Sequence, residues 1–424
     1  MDIHGKKLVV LGGIQLICKL VENARARGAY VIVADYLPNS PAKALADEAW
    51  LVSTTDTDKL AGLCLENHVD GVIAGYDDFN IINAQRLSER IGRPFYANAY
   101  QISQTMDKAN FKALCRASGV PSVPEYQLDE DLSRECLDSI RYPVIIKPVD
   151  RSGSIGISIC HNEAELIEAH RKACGSSRSG RVILEKYMVG DEVGVFYTFQ
   201  DGQIFCAAMH DRLLQQKNNN EVRISEAYIY PSKYAEIYME KENETVIRMF
   251  RSLGITNGTL FLQGCVEDGT VYFYEAGFRL NGSYPYQLIS HVSGFNPMEM
   301  LVNYSLTGKE ADESVASKAN PVFDKACCAL SILVRPGTIG ALAGLDEIAA
   351  FPETVDVNRW YSVGETIGED FVGTQKQIVV RFNLAADDRE KLADVIRRVY
   401  SVLRVDDTEG RSMMLTPFDT GRLF

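Results

Sequence analysis

The sequence lacks several features that would set it apart from ordinary globular enzymes. No run of about 18 apolar residues occurs in the 424 residues, so we expect no membrane-spanning helix. The ten cysteines contain no C-x-x-C pair, which favours buried reduced thiols over a metal site or a disulfide framework. An apolar strand begins at Lys7 with no cleavable leader before it. We therefore expect a cytoplasmic protein with no membrane partner.

An excess of positive charge is also missing. Asp and Glu number 57 against 44 Lys and Arg, which gives a net charge of −13, and no Lys/Arg-rich run stands out. The phosphate backbone of a nucleic acid would be repelled overall, so we exclude nucleic acid as a partner. A single anionic nucleotide can still bind, because it needs only a local cluster of lysines and backbone N–H groups.

Roughly the first hundred residues have the pattern of a parallel α/β sheet. An apolar run ends in Gly12-Gly13, helical periodicity follows, and a second apolar run over residues 30–34 ends in Asp35. Residues 71–74 repeat the apolar run. This pattern predicts a doubly wound, Rossmann-like domain over residues 1–105. A nicotinamide dinucleotide site is a poor alternative, because the loop after residue 11 lacks the G-x-G-x-x-G spacing.

The remaining chain predicts a mixed architecture. Residues 106–320 contain many short predicted strands with turns between them, which favours antiparallel sheets. The pattern of residues 321–424 predicts a C-terminal α+β domain. The polar segment 213–223 predicts a mobile loop. The strands of the central region are expected at 142–148, 155–160, 182–187, 192–199, 204–210, 259–266 and 271–275.

Charged residues stand at strand ends and beside glycines in this central region. Lys147 ends the apolar run Val144–Lys147, where its ammonium could either snorkel to solvent or clamp a ligand. The following Ser/Gly turn at 152–156 could close over phosphate oxygens, although a simple hairpin loop is the alternative. Residues 185–192 join an apolar strand to an acidic segment. Glu275 ends a strand of apolar and aromatic residues, a position that calls for a neutralising cation such as magnesium or a salt bridge with Arg279.

The ordered set resembles the ATP-grasp superfamily over nearly the whole chain. It is similar to the branch that contains carbamoyl-phosphate synthase large-chain halves, biotin carboxylase, phosphoribosylamine–glycine ligase and amino-acid ligases. The resemblance implies ATP and Mg²⁺, or Mn²⁺, as cofactors. It implies that the phosphates bind Lys108, Lys147, Ser152, Gly153, Ser154 and Gly156, and that adenosine binds Glu185, Lys186, Tyr187, Met188 and Glu192. It implies Gln263 and Glu275 as metal ligands and Arg279, Lys147 and Asn281 as catalytic residues.

Two positions depart from the family pattern or stay open. Gly277 replaces an asparagine that binds metal in many relatives, so a second magnesium ion would be weakly held or differently ligated. His210 lies where relatives place residues of the acceptor pocket, but a satisfied core or surface histidine is the simpler interpretation. A nucleotide-binding regulator without catalysis is therefore a competing hypothesis, and so is bicarbonate activation of the carbamoyl-phosphate synthase or biotin carboxylase kind.

The resemblance implies a carboxylate–amine ligase that forms an acyl phosphate and releases ADP and phosphate. We expect a carboxylate and an amine as small-molecule partners, an amino acid being one candidate, with a homodimer left open. We also predict that Gln263 and Glu275 share one cleft. A three-residue turn at 267–269 would place them on one sheet face, whereas a two-residue turn at Asp268-Gly269 would separate them.

Overall fold

The computed structural model describes residues 1–129, 132–151, 155–215 and 224–424. A parallel sheet with the strand order β3-β2-β1-β4 opens the chain. Its elements are β1 Lys7–Leu11, α1 Cys18–Ala26, β2 Tyr30–Asp35, β3 Glu48–Leu51, α2 Thr57–Glu66, β4 Gly71–Ala74 and α3 Asp78–Arg90. The predicted parallel sheet is confirmed. The Asp35 carboxylate accepts a hydrogen bond of 2.8 Å from the Gly13 N–H, so it holds the first loop in place.

A helix pair then leads into a small antiparallel sheet with the order β5-β8-β6-β7. The elements are α4 Ala99–Met106, α5 Lys108–Ser118, β5 Glu125–Tyr126, α6 Arg134–Ser139, β6 Val144–Pro148, β7 Ser158–Cys160, α7 Glu163–Ser176 and β8 Val182–Lys186. Helix α5 begins where the Asp107 side chain caps the Asn110 N–H and ends at left-handed Gly119. Its first residue, Lys108, is thereby fixed at the helix start.

Long antiparallel strands form the next segment. They and their helices are β9 Asp191–Gln200, β10 Gln203–Leu214, β11 Ser225–Tyr230, α8 Ala235–Lys241, α9 Asn243–Ser252, β12 Gly258–Glu267, β13 Thr270–Gly277, α10 Tyr286–Ser293 and α11 Pro297–Thr307. Strand β10 includes residues 213 and 214, which the sequence had assigned to the start of a mobile loop. Most of that expected loop, residues 216–223, lies outside the described residues.

The C-terminal segment extends the same sheet. Its elements are β14 Ala326–Leu333, β15 Gly337–Ala343, α12 Leu345–Ala349, β16 Thr354–Arg359, β17 Thr366–Ile367, β18 Ile378–Ala386, α13 Arg389–Val402 and β19 Arg404–Asp407. The full order of the large sheet is β13-β12-β9-β10-β11-β14-β18-β16, and β17-β15-β19 form a separate small sheet. One sheet therefore crosses the expected boundary at residue 320, which brings C-terminal side chains into line with those of the central strands.

The apolar side chains pack the two sides of these sheets. One buried cluster joins the parallel sheet to the back of the large sheet, and a second fills the C-terminal region under α13. All ten cysteines are free thiols, and most are buried, as expected from the absence of paired spacing. Among the helices that the structure describes, none is both long and apolar enough to cross a lipid bilayer.

Candidate active site

One face of the large sheet carries the polar residues of the site. In an antiparallel ladder, residues directly opposite each other project to the same face. Register places Glu275 opposite Gln263, Gln263 opposite Gly194, and Gly194 opposite His210. The same face continues along the sheet through Tyr228, Tyr230, Arg381, Asn383 and Asn358. The pairing thus aligns residues that are far apart in the chain in one polar stripe.

Gln263 and Glu275 are the first pair of this stripe, and the prediction that they share a face is confirmed. The predicted three-residue turn is wrong, because Glu267 pairs with Thr270 and leaves a two-residue turn. A bulge between Gln263 and Gly264 then adds Tyr274 to the opposite strand, since Gly264 pairs with Phe273 while Gln263 pairs with Glu275. This extra residue restores the shared face.

Lys147 points from the end of β6 to a buried carboxylate. Its Nζ lies 2.6 Å from Glu185 Oε2, and it lies 5.1 Å from the centre of the Tyr274 ring. Lys112 lies on the other side, with its Nζ 2.7 Å from Glu185 Oε1. Sequence reasoning missed Lys112, although its position four residues after Lys108 places both lysines on one face of α5.

The Glu185 carboxylate is buried between the two lysines. Burial would raise its pKa, but the ammonium groups of Lys147 and Lys112 outweigh burial and lower that pKa. Its side chain is only 1% exposed. The Glu185 side chain is therefore engaged by the two lysines, and the expected adenine contact of this segment through its main chain stays a prediction.

Lys108 lies beside Glu275, at one end of the stripe. Its Nζ donates a hydrogen bond of 2.7 Å to the Arg151 carbonyl and lies 3.4 Å from Glu275 Oε1. Gly156 closes the turn after β6 with φ of 76°, and a side chain there would collide with Pro148. Ser152, Gly153 and Ser154, the centre of the expected phosphate loop, lie outside the described residues.

The segment after β8 offers main-chain groups for a base. The Lys186 and Tyr187 N–H groups donate to the carbonyls of Pro124 and Pro143, at 2.9 and 3.1 Å. Met188 N–H donates to no acceptor among the described residues, so it is able to donate to a ligand. Glu192, the expected ribose ligand, lies 2.6 Å from the Arg212 guanidinium, and this ion pair fixes the carboxylate beside the segment.

Arg279 is held by the N-terminal domain. Its Nε lies 2.5 Å from Asp78 Oδ1, and its guanidinium lies 5.1 Å from the centre of the Phe261 ring. Burial would lower the pKa of Arg279, but the carboxylates of Asp78, Glu275 and Asp77 together raise it. The salt bridge considered between Arg279 and Glu275 is replaced by this contact. Nearby, the Asn281 side chain accepts from the Ser283 N–H at 2.8 Å, which shapes the following turn.

His210 is buried but not satisfied. Its Nε2 occupies the space left by the missing side chain of Gly194, since a Cβ there would lie only 2.4 Å from that nitrogen. Its Nδ1 has no hydrogen-bond partner among the described residues. Burial is the main cause that lowers the pKa of His210 to about 3, and the positive charge of Arg212 adds to it. The imidazole is therefore neutral at physiological pH.

Arg381 marks the far end of the stripe. It is fully buried, and in the described parts of the chain no carboxylate pairs with its guanidinium, which lies between the rings of Tyr228 and Trp360 at 5.5 and 5.2 Å. Neighbouring buried polar atoms also lack partners within those parts of the chain, namely Tyr230 Oη, Ser283 Oγ, Asn383 Oδ1, Asn358 Oδ1 and one Arg381 nitrogen. Unpartnered buried groups are costly, so this cluster fits a polar, anionic ligand.

The residues at the Gln263–Glu275 pair fit a magnesium ion only together with a nucleotide. Across the described ranges, no group of three or more His, Cys, Asp or Glu side chains could hold a metal. One carboxylate and one amide are typical of magnesium sites that phosphate oxygens complete. At Gly277, where the family resemblance led us to expect a metal-binding asparagine, a side chain would collide with the Phe261 ring.

Comparisons with known proteins identify proteins that are similar to this chain. Residues 109–276 match the family model described as D-ala D-ala ligase C-terminus. The 2-oxoglutarate carboxylase small subunit of Hydrogenobacter thermophilus is 25% identical over 300 residues, which cover 66% of this chain and 62% of that protein. The chain therefore aligns with about three fifths of this relative.

Solved structures share the fold. The L-amino acid ligase from Bacillus licheniformis matches with a TM-score of 0.76 and 18% identity, covering 95% of this chain and 99% of that chain. The biotin carboxylase domain of Hydrogenobacter thermophilus 2-oxoglutarate carboxylase, in complex with MgADP, ADP and bicarbonate, matches with a TM-score of 0.78 and 19% identity, covering 97% and 91%. The chain belongs to the ATP-grasp ligases, a superfamily of enzymes.

Proposed function

We propose that the protein is an ATP-dependent carboxylate–amine ligase that proceeds through an acyl phosphate. The observation that carries this proposal is the arrangement of the polar stripe. One end of the stripe carries Lys108, Lys147 and the Gln263–Glu275 pair. These groups suit the phosphates of a nucleotide and the metal ion that accompanies them. The other end has Arg381, a buried cation without a carboxylate partner in the described parts of the chain. Two anion sites on one sheet face suit the meeting of ATP with a carboxylate.

The nucleotide end is suited to phosphoryl transfer. Lys108 and Lys147 would hold the inner phosphates, and Met188 N–H, which has no acceptor among the described residues, would donate to the base. When bound at Gln263 and Glu275, Mg²⁺ would neutralise charge on the phosphate oxygens. Arg279 lies next along the chain and keeps its positive charge beside Asp78, where it can stabilise the phosphoryl group during transfer.

The reaction that fits these positions has two steps. A carboxylate oxygen attacks the γ-phosphorus of ATP, the bond to the bridging oxygen breaks, and ADP leaves. The nitrogen of a neutral amine then attacks the acyl carbon, inorganic phosphate leaves with the oxygen that the carboxylate supplied, and the amine loses a proton. Arg381 would orient the carboxylate substrate, and neutral His210 would add no competing charge between the two ends.

Bicarbonate activation is the second candidate. It is favoured by the similarity to the 2-oxoglutarate carboxylase small subunit and by the biotin carboxylase domain whose structure contains bicarbonate. In that case, Arg381 would hold bicarbonate in place of an organic carboxylate. The rings of Tyr228 and Trp360 beside Arg381 offer apolar surface against which an organic substrate would pack, which supports the first proposal.

A substrate screen separates these candidates. Purified protein with magnesium ATP is tested for phosphate release with amino acids and other small carboxylates, each alone and with an amine, and separately with bicarbonate. We expect release that requires both an organic carboxylate and an amine. Release stimulated by bicarbonate alone would select the second candidate, and nucleotide binding without turnover under any condition would favour a regulator.

A further inference from the structure

Lys112 is a fully buried lysine that the mechanism above does not use. It lies one helical turn after Lys108 on α5, and its side chain is 0% exposed. Its Nζ contacts Glu185 and donates a hydrogen bond to the Val123 carbonyl. A buried ammonium is costly without such partners, so its retention beside the phosphate-binding lysines calls for a reason.

The three side chains form a row in which one carboxylate serves two lysines. Glu185 Oε1 lies 2.7 Å from Lys112, and Glu185 Oε2 lies 2.6 Å from Lys147. Two positive charges and one negative charge leave one net positive charge. A pair of Lys147 and Glu185 alone would be neutral, and Lys147 would then attract phosphate much less.

The electrostatics of the row agree with an ionised carboxylate. Burial alone would raise the pKa of Glu185, but the two lysines lower it. Burial lowers the pKa of Lys112, while Glu185 opposes that change. Lys147 is the member that faces the site, because it also contacts the Tyr274 ring beside Glu275.

We propose that Lys112 is a positioning residue of the nucleotide site: it balances the charge of Glu185, so that Lys147 keeps a net positive charge for the nucleotide phosphates. This inference rests on the proposed function only in placing phosphates at Lys147. It does not depend on the identity of the carboxylate or the amine.

A purely structural role is the alternative, and the contacts of Lys112 make it concrete. The Val123 N–H donates to the Phe273 carbonyl at 3.0 Å, two residues before Glu275. Lys112 therefore connects helix α5 both to β8 and to the strand that carries Glu275. If Lys112 only holds these elements together, its loss would weaken the binding of both the nucleotide base and the phosphates. If it balances the charge of Glu185, its loss would weaken phosphate binding alone.

The test compares ADP with adenosine in calorimetric titrations of the full chain with magnesium. Lys112→Met, Glu185→Gln and the double variant are measured, with Lys391→Met as a matched surface control, because Lys391 pairs only with exposed or remote carboxylates. We expect Lys112→Met to weaken ADP binding about tenfold, as for the loss of one charge-assisted contact, and to leave adenosine binding unchanged. The ADP affinity of the double variant should lie within about threefold of that of the unaltered protein. In this variant the charges of both Lys112 and Glu185 are absent, so the positive charge of Lys147 is not neutralised.

The opposite results are equally clear. Equal losses of affinity for ADP and for adenosine would show that Lys112 has a structural role only. A double variant that binds ADP no more tightly than Lys112→Met would show the same. If Lys112→Met does not fold, the ADP affinity of the double variant is compared with that of Glu185→Gln alone. A difference greater than about threefold between these two affinities contradicts the charge-balancing role. Failure of the unaltered protein to bind ADP would overturn the proposed function, whereas ADP binding without ligase turnover would overturn that function and leave this inference standing.

Discussion

Gln263 lies directly opposite Glu275, although the turn between their strands has only two residues. Asp268 and Gly269 both adopt left-handed conformations, with φ of 49° and 74°, as a tight hairpin turn requires. With regular pairing, that turn would send Glu275 to the opposite face. The extra residue at Tyr274 corrects the register, and the Tyr274 ring contacts Lys147. The bulge thus brings Gln263 and Glu275, the proposed metal ligands, to one face and places Tyr274 beside Lys147, the proposed phosphate ligand.

Replacement of Glu275 should weaken metal-dependent nucleotide use. Glu275→Gln keeps the shape but removes the carboxylate of the pair, so we expect turnover to fall at least about thirtyfold, equivalent to about 2 kcal/mol. The Mg²⁺ concentration that gives half-maximal turnover should rise. Glu66→Gln, at an exposed helix end, is the control. An unchanged Mg²⁺ dependence of the Glu275 variant would remove the metal assignment.

Arg381 should act on the carboxylate substrate and not on the nucleotide. Arg381→Met is expected to raise the KM for the carboxylate roughly thirtyfold or more, because a charge-assisted contact in a buried pocket is lost. The affinity for ADP should stay the same. Arg359→Met, which alters an exposed residue of the neighbouring strand, should change neither constant. A selective loss of ADP affinity in the Arg381 variant would contradict the two-ended site.

The buried His210 should make the fold sensitive to acid. Its pKa is lowered from 6.5 to about 3 in the folded protein, so only the unfolded chain gains a proton between these values. Its contribution to stability is present above pH 6.5 and is lost as the pH falls towards 3. Between pH 6.5 and 5 we expect a loss of about 2 kcal/mol.

Urea unfolding at several pH values measures this effect. His210→Phe should lower the dependence of unfolding free energy on pH in the acid range, whereas His161→Gln, at an exposed position, should leave it unchanged. Identical pH dependence in the His210 variant and the unaltered protein would show that His210 titrates normally.

Local sequence patterns predicted many of the strands and helices. They did not predict the features that depend on pairing between residues far apart in the chain. The parallel sheet and most central strands follow from apolar runs and turn residues, and Lys147 was identified from its place at a strand end. The bulge at Tyr274 has no such signal, because it arises from the pairing of two strands. The contact of Lys112 with Glu185 joins residues 73 positions apart, and the partnership of Arg279 with Asp78 spans 201. Only the folded arrangement brings these groups together.

The central claim is that a carboxylate is activated by the γ-phosphoryl group of ATP. It is tested most directly with a carboxylate substrate carrying a heavy-oxygen label, followed by mass spectrometry of the products. The account predicts ADP and inorganic phosphate, with one labelled oxygen in the phosphate, because the carboxylate oxygen leaves with the phosphoryl group when the amine attacks. Formation of AMP and pyrophosphate, or phosphate without label, would contradict it.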